Sequence, residues 1–226
     1  MKLIIFDLDQ TLVDVIQFHN STVERIFREF YDVDARLTDI DFAGKSLTEI
    51  IPELAQLKGI AEGKVKDDLQ IIVERYIQYF LQSFPIDARS YILPGAKELL
   101  SLLSETDNIL VLYTGNASAI GEKVLTNTGL NRYFTFSFYG TEVKTRADMV
   151  KMAIESSEQL TGRKFQGKDM AIIGDSVKDI ECGKQFNAIS MGVTTGFHPE
   201  SRLKEAEPDF IFPDLTDARA ILNAIS

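Results

Sequence analysis

Cysteine is nearly missing from this chain: Cys182 is the only one among 226 residues. No intrachain disulfide can form, and a thiolate zinc site, which needs several such ligands, is excluded. A reducing compartment fits that usage. Positive charge is also scarce, with 24 lysines and arginines against 34 aspartates and glutamates and a formal net charge of −10. No basic run offers the cations that displace phosphate counterions, so nucleic acid is not an expected partner. Long apolar runs are missing too. Leu3 to Phe6 is far too short for a signal segment and is followed by Asp7 and Asp9, and no later stretch reaches bilayer length. The expectation is a cytoplasmic protein with no membrane partner.

What is present suits a folded domain. Hydrophobic residues make up 45% and charged residues 26%, as in ordinary globular proteins. The length allows one sizeable core plus a smaller insertion, but not two full domains. Leu3, Ile4, Ile5 and Phe6 form a continuous apolar run, such as a parallel sheet covered on both faces requires. Similar runs recur at Ile109 to Tyr113, Phe134 to Phe138, Met170 to Ile173 and Ile189 to Val193, separated by helical patterns. Ala96, Leu99, Leu100 and Leu103 share one helical face, as do Met149, Val150, Ala153 and Ile154. Further helices are expected from Ile180 to Phe186 and from Leu215 to Ile225. The alternation predicts a doubly wound α/β fold with a parallel, Rossmann-like sheet.

Between residue 14 and residue 89 the alternation stops and the pattern becomes helical. Val15, Phe18, Val23, Ile26, Phe27 and Phe30 make one apolar stripe; Val65, Leu69, Ile72, Val73, Tyr76, Ile77 and Phe80 make a second. Gly44, Pro52, Gly59 and Gly63 punctuate this region, and Pro85 with Pro94-Gly95 marks the return to the core. The predicted division is an α/β core of residues 1–13 and 90–226, with an all-α insertion at 14–89.

Three strand ends carry polar clusters. The first strand runs into Asp7-Leu8-Asp9, two carboxylates at the sheet edge where α/β folds place their ligands. The second ends in Thr114-Gly115-Asn116, either an ordinary helix cap or a cradle of N–H groups facing an anion. The fourth runs into Gly174-Asp175-Ser176-Val177-Lys178-Asp179, whose two carboxylates lie on one side of a starting helix. Capping explains either aspartate singly, but less easily both. An anionic substrate on so acidic a protein would need local positive charge from a metal, a placed cation or a helix N-terminus.

Asp-x-Asp, Thr-Gly-Asn and Gly-Asp-x-x-x-Asp, in that order, closely resemble the motifs of the haloacid dehalogenase superfamily, and the helical insertion resembles its cap domain. Leu93-Pro94-Gly95-Ala96, Tyr113-Thr114-Gly115-Asn116 and Gly192-Val193-Thr194-Thr195-Gly196-Phe197 are similar to its phosphoglycolate-phosphatase-like branch. The resemblance implies Mg²⁺-dependent hydrolysis of a small phosphorylated metabolite through an aspartyl-phosphate, with phosphoglycolate as the leading substrate. It implies Asp7 as nucleophile and metal ligand, and Asp9 as general acid and base, meeting the metal only through its backbone carbonyl. Asp175 completes the ligands, and Asp179 joins directly or through water. Thr114, with the backbone of Gly115 and Asn116, holds phosphoryl oxygens. The phosphate-binding cation is Lys144 or Arg146, because the proline that usually follows the lysine is absent.

One departure is Gln10, where the family commonly has glycine. A positive φ there would strain a glutamine; otherwise the turn differs. His19 sits on the apolar face of the first insertion helix, as a helix-face histidine near the domain junction or as a substrate-binding group facing the core. His198 reads as structural or solvated, and Cys182 as a small buried hydrophobe. The rivals are a β-phosphoglucomutase-like phosphomutase and a non-catalytic binding protein on the same fold. The expected assembly is a monomer or homodimer.

Overall fold

A computed structural model describes residues 1–140 and 145–226; Lys144 lies outside the described residues. Six strands form one parallel sheet: β1 (Leu3–Phe6), β2 (Ile109–Thr114), β3 (Phe136–Tyr139), β4 (Met170–Gly174), β5 (Ile189–Val193) and β6 (Phe210–Phe212). Their order is β3-β2-β1-β4-β5-β6. The chain builds outward from β1 to β3 and then returns to β4 on the other side of β1. The crevice at the carboxyl ends of β1 and β4 is thus the switch point at which open α/β sheets bind ligands.

The expected strands are found within a residue or two, and β6 is an addition. Its three residues, flanked by Pro208-Asp209 and Pro213, are too few to show a period.

Alternation along β1 explains the two layers of core. Leu3 and Ile5 face one side, packing with Val111, Met149, Val150, Ile172 and Cys182. Ile4 and Phe6 face the other, packing with Leu99, Leu112, Ile120, Ile173 and Ile221. Helices α6 (Arg146–Thr161) and α7 (Val177–Gln185) cover the first face. Helices α4 (Ala96–Ser104), α5 (Ser118–Thr128) and α9 (Ala218–Ile225) cover the second, and the short α8 (Glu200–Glu205) precedes β6. Each fully buried Leu, Ile or Phe in these layers contributes about 1.5–3 kcal/mol of transfer free energy.

Between β1 and α4 stand α1 (Ile16–Tyr31), α2 (Leu47–Leu57) and α3 (Glu62–Ser83). Their buried side chains, among them Val23, Phe27, Ile51, Ile72 and Phe80, join the core cluster that contains Ile4 and Phe6. Pro52, expected to break the chain, instead lies inside α2. Its missing N–H costs one helical hydrogen bond, and burial of Ile51, Leu54 and Ala55 around it offsets that loss. Among the described residues, no helix is long and apolar enough to cross a membrane.

The loop after β1 resolves the question of Gln10. Its φ is 61°, in the left-handed region, so the position does require the conformation that glycine adopts freely. Glutamine is held there by its N–H to the Val13 carbonyl (2.7 Å), by its side-chain amide to Asp14 Oδ1 (2.7 Å), and by the Thr195 hydroxyl donating to its carbonyl. Gln10→Gly is expected to relieve the strain at the loss of one exposed side-chain bond, a net gain of roughly 0.5–1 kcal/mol. That corresponds to a melting temperature higher by about 1–4 °C for a chain of this size; a fall would show that the side chain, not the backbone, dominates at this turn.

Candidate active site

The crevice between β1 and β4 collects acidic side chains. Asp7 is buried directly beyond β1, and its N–H donates to the Ile173 carbonyl at 2.9 Å, which fixes it against the end of β4. Asp175 follows β4 and accepts from the Thr11 hydroxyl at 3.3 Å. Asp179 arrives from the first turn of α7. Carboxylate oxygens of these three buried residues lie within 4.8 Å of one another, so the described structure brings Asp7, Asp175 and Asp179 together as the motifs predict.

Asp179 has two tasks. Its Oδ2 accepts from the Ser176 N–H (2.9 Å) and hydroxyl (2.5 Å), closing the capping box of α7. Its Oδ1 accepts from the Tyr113 hydroxyl at 2.5 Å and from Arg146. With both oxygens engaged by protein donors, Asp179 suits an indirect contact with a cation better than a direct one. Gly174 lacks a Cβ for the same reason: one there would stand 2.2 Å from the Asp179 carboxyl carbon.

Arg146 opens α6 with its largely covered side chain reaching into this cluster. The guanidinium stands 2.9 Å from Asp7 Oδ1, pairs with Asp179 Oδ1, and lies 4.6 Å from the centre of the Tyr113 ring. Its Nε also donates to the Gly44 carbonyl at 3.2 Å, tying the insertion to the core. Of the two predicted cations, Arg146 is thus the one with a place in the described site.

Asp9 Oδ2 accepts from the Asn116 amide at 2.5 Å, while its Oδ1 lies 3.9 Å from His19 Nε2. The Asp9 side chain stands outside the three-carboxylate group, in keeping with its separate predicted role. Thr114 is buried at the end of β2, and its hydroxyl oxygen accepts the Asn116 N–H at 3.3 Å. Gly115 admits the insertion loop, since a Cβ there would meet the Lys45 carbonyl oxygen at 2.6 Å. His19 faces the site, with Nδ1 2.8 Å from the Tyr76 hydroxyl. His198 is structural: Nδ1 accepts the Val177 N–H at 3.1 Å and Nε2 lies 2.9 Å from Asp41 Oδ1, joining the start of α7 to the insertion. Cys182 is buried behind the site, and its thiol is pushed up to about 12 by burial first and then by Asp179.

Electrostatics give a physical test for a cation. Burial, and then the neighbouring Asp179 and Asp9, push Asp7 up to about 8 despite the opposing Arg146. Asp175 is raised well above the carboxylate range by burial, with Asp7 and Asp179 adding to it. Burial also raises Asp9, against His19 and the Asn116 bond, and lowers His19. Asp7 Oδ1 is fully buried, with the Arg146 guanidinium 2.9 Å away as its charged neighbour. Three buried carboxylates gathered within 4.8 Å, with one guanidinium beside them, leave excess negative charge, and an all-oxygen donor set of this kind fits a hard divalent cation.

A cavity of about 630 Å³, its open mouth included, lies over these groups. Its floor is Asp7, Asp9, Thr114, Gly115, Asn116, Arg146 and Asp175, and its roof comes from the helical insertion. Tyr113, Tyr76, Thr11 and Ser176 were not singled out in the sequence. Tyr113 and Tyr76 sit in apolar runs that read simply as core, whereas Thr11 and Ser176 adjoin the acidic motifs and were within reach.

Sheet order, the switch-point carboxylates and the arginine beside them define an α/β protein with a polar site at the carboxyl edge of its sheet. The family model for haloacid dehalogenase-like hydrolases matches residues 4–193, so the chain belongs to that family, and it is an enzyme of the phosphatase kind. It is 25% identical to a phosphoglycolate phosphatase of Haemophilus influenzae, over 98% of both chains. In fold it is similar to a predicted phosphoglycolate phosphatase of Haemophilus somnus (TM-score 0.79, 19% identity, 98% of both chains). A β-phosphoglucomutase of Clostridium difficile is also similar (TM-score 0.78, 18% identity, 100% of this chain and 97% of that one).

Proposed function

We propose that this phosphatase hydrolyses small organic phosphate monoesters in two steps, through an acyl phosphate on Asp7. The carrying observation is the convergence of Asp7, Asp175 and Asp179 at the β1/β4 crevice with Arg146 beside Asp7. Asp7 and Asp175, with the Asp9 carbonyl and an indirect contact from Asp179, would hold Mg²⁺. When bound, the ion favours the ionised form of Asp7 and offsets charge on the phosphoryl group.

In the first step an Asp7 oxygen attacks phosphorus, the bond to the ester oxygen breaks, and Asp9 gives its proton to that leaving oxygen. The raised pKa of Asp9, caused chiefly by burial, suits a carboxyl that starts the reaction protonated. In the second step Asp9 takes a proton from water as that water attacks phosphorus, releasing phosphate and restoring Asp7. Arg146, the Thr114 hydroxyl and the N–H groups of Gly115 and Asn116 would hold the phosphoryl oxygens and stabilise charge developing on them. The helical insertion, residues 14–89, would act as a cap that keeps bulk water from the acyl phosphate.

Steady release of inorganic phosphate from a panel of small phosphate esters, phosphoglycolate included, is the expected result. Isomerised sugar phosphate formed only with a bisphosphate activator would overturn the reading in favour of a mutase. Arg146→Ala is expected to lower kcat/KM by roughly 10²–10³-fold, as loss of one placed charge-stabilising donor does. Arg146→Lys should recover part of that loss, since an ammonium keeps the charge without the two-pronged geometry. An alanine variant within threefold of wild type would remove Arg146 from the phosphate site.

A further inference from the structure

The roof of the cavity differs sharply in chemistry from its floor. The insertion presents Ile16, Leu37, Phe42, Leu47 and Ile50 to the space above Asp9, and Leu37, Leu47 and Ile50 are themselves core residues. Lys45 is the one cationic side chain the insertion contributes to the lining among the described residues. Its ammonium is turned to Glu53 Oε2, 2.5 Å away, and the pair lines a separate cleft along α2 and α3. Of the other polar roof groups, His19 Nδ1 is taken by the Tyr76 hydroxyl, while the ring, its pKa lowered by burial, turns Nε2 toward Asp9 at 3.9 Å without a hydrogen bond.

From this roof we infer that the leaving group is an uncharged, largely apolar alcohol, rather than one carrying a carboxylate or a second phosphate. A second anion beneath these side chains would give up its hydration with no cation among the described roof residues except Lys45, which Glu53 already neutralises. The net charge of −10 would add repulsion. Burial of a short hydrocarbon body against Leu47, Ile50 and Phe42 instead favours binding. The inference rests on the phosphatase reading and narrows it.

A matched pair of esters separates the two possibilities: n-butyl phosphate and 4-phosphonooxybutanoate share a primary alkyl leaving group and differ in a terminal carboxylate. The wild-type enzyme with Mg²⁺ is expected to show at least a tenfold higher kcat/KM for the butyl ester. Leu47→Arg should move that ratio at least tenfold toward the carboxylate ester. Ile16→Arg, at a half-buried position on the same wall, should do likewise and guards against a Leu47 variant that fails to fold. Equal or better turnover of the carboxylate ester by wild type would overturn this inference while leaving the phosphatase reading intact. Folded wild-type protein releasing no phosphate from either ester, or from the wider panel, would overturn both.

Discussion

Replacing Asp7 with asparagine is expected to reduce phosphate release by roughly four orders of magnitude or more, the usual consequence of removing a covalent nucleophile. The change conserves volume, so the packing of β1 against β4 should survive. The stability effect has the opposite sign. Asp7 is a buried carboxylate raised to about 8, beside Asp179 and Asp9. A neutral amide removes like-charge repulsion that Arg146 offsets only in part when no cation is bound. The metal-free variant should therefore melt above metal-free wild type at pH 8. An asparagine variant that keeps turnover within tenfold of wild type would exclude Asp7 as the nucleophile, whatever its melting temperature.

The same opposition between function and stability explains which parts of the molecule were legible in the sequence. The strands β1, β2, β4 and β5 could be read directly because side chains covered on both faces leave a continuous apolar run, visible in Leu3–Phe6 and Met170–Ile173. The polar residues closing those strands break the run abruptly, so Asp7, Thr114 and Asp175 were exposed to inspection. Contacts that bridge distant segments were not. Tyr113 reads as one more apolar residue of β2, yet its hydroxyl, 66 positions from Asp179, fixes that carboxylate. Arg146 likewise reaches Asp7 across the sheet edge, a contact no period records, while Lys144 lies outside the described residues. Pro52 misled for a related reason: a local penalty of one hydrogen bond is visible, whereas the tertiary burial of Ile51 and Leu54 that outweighs it is not. Gln10 shows the converse, because a residue unsuited to a positive φ marked a place where the catalytic loop overrides local preference.

Removal of divalent metal is expected to have the second largest effect, and the acidic cluster sets its sign. Asp7 and Asp175 are protonated to higher pH in the folded chain than in the unfolded one, where a carboxylate titrates near 3.8. Between about pH 4 and pH 8 the metal-free folded state therefore binds more protons, and its stability falls as pH rises through that window. Bound Mg²⁺ favours the ionised forms and should flatten that slope. At about 100 times its dissociation constant the ion contributes about 2.7 kcal/mol, or roughly 5–10 °C in melting temperature for a chain of this length. Chelation at pH 7.5 should lower turnover by about 10³-fold, equivalent to several kcal/mol of transition-state stabilisation. Thermal melts from pH 5 to pH 8, with EDTA or with Mg²⁺, test both parts together. A metal-free melting temperature that climbs across this range, together with turnover indifferent to chelator, would mean that Arg146 alone neutralises the cluster and that no divalent ion takes part.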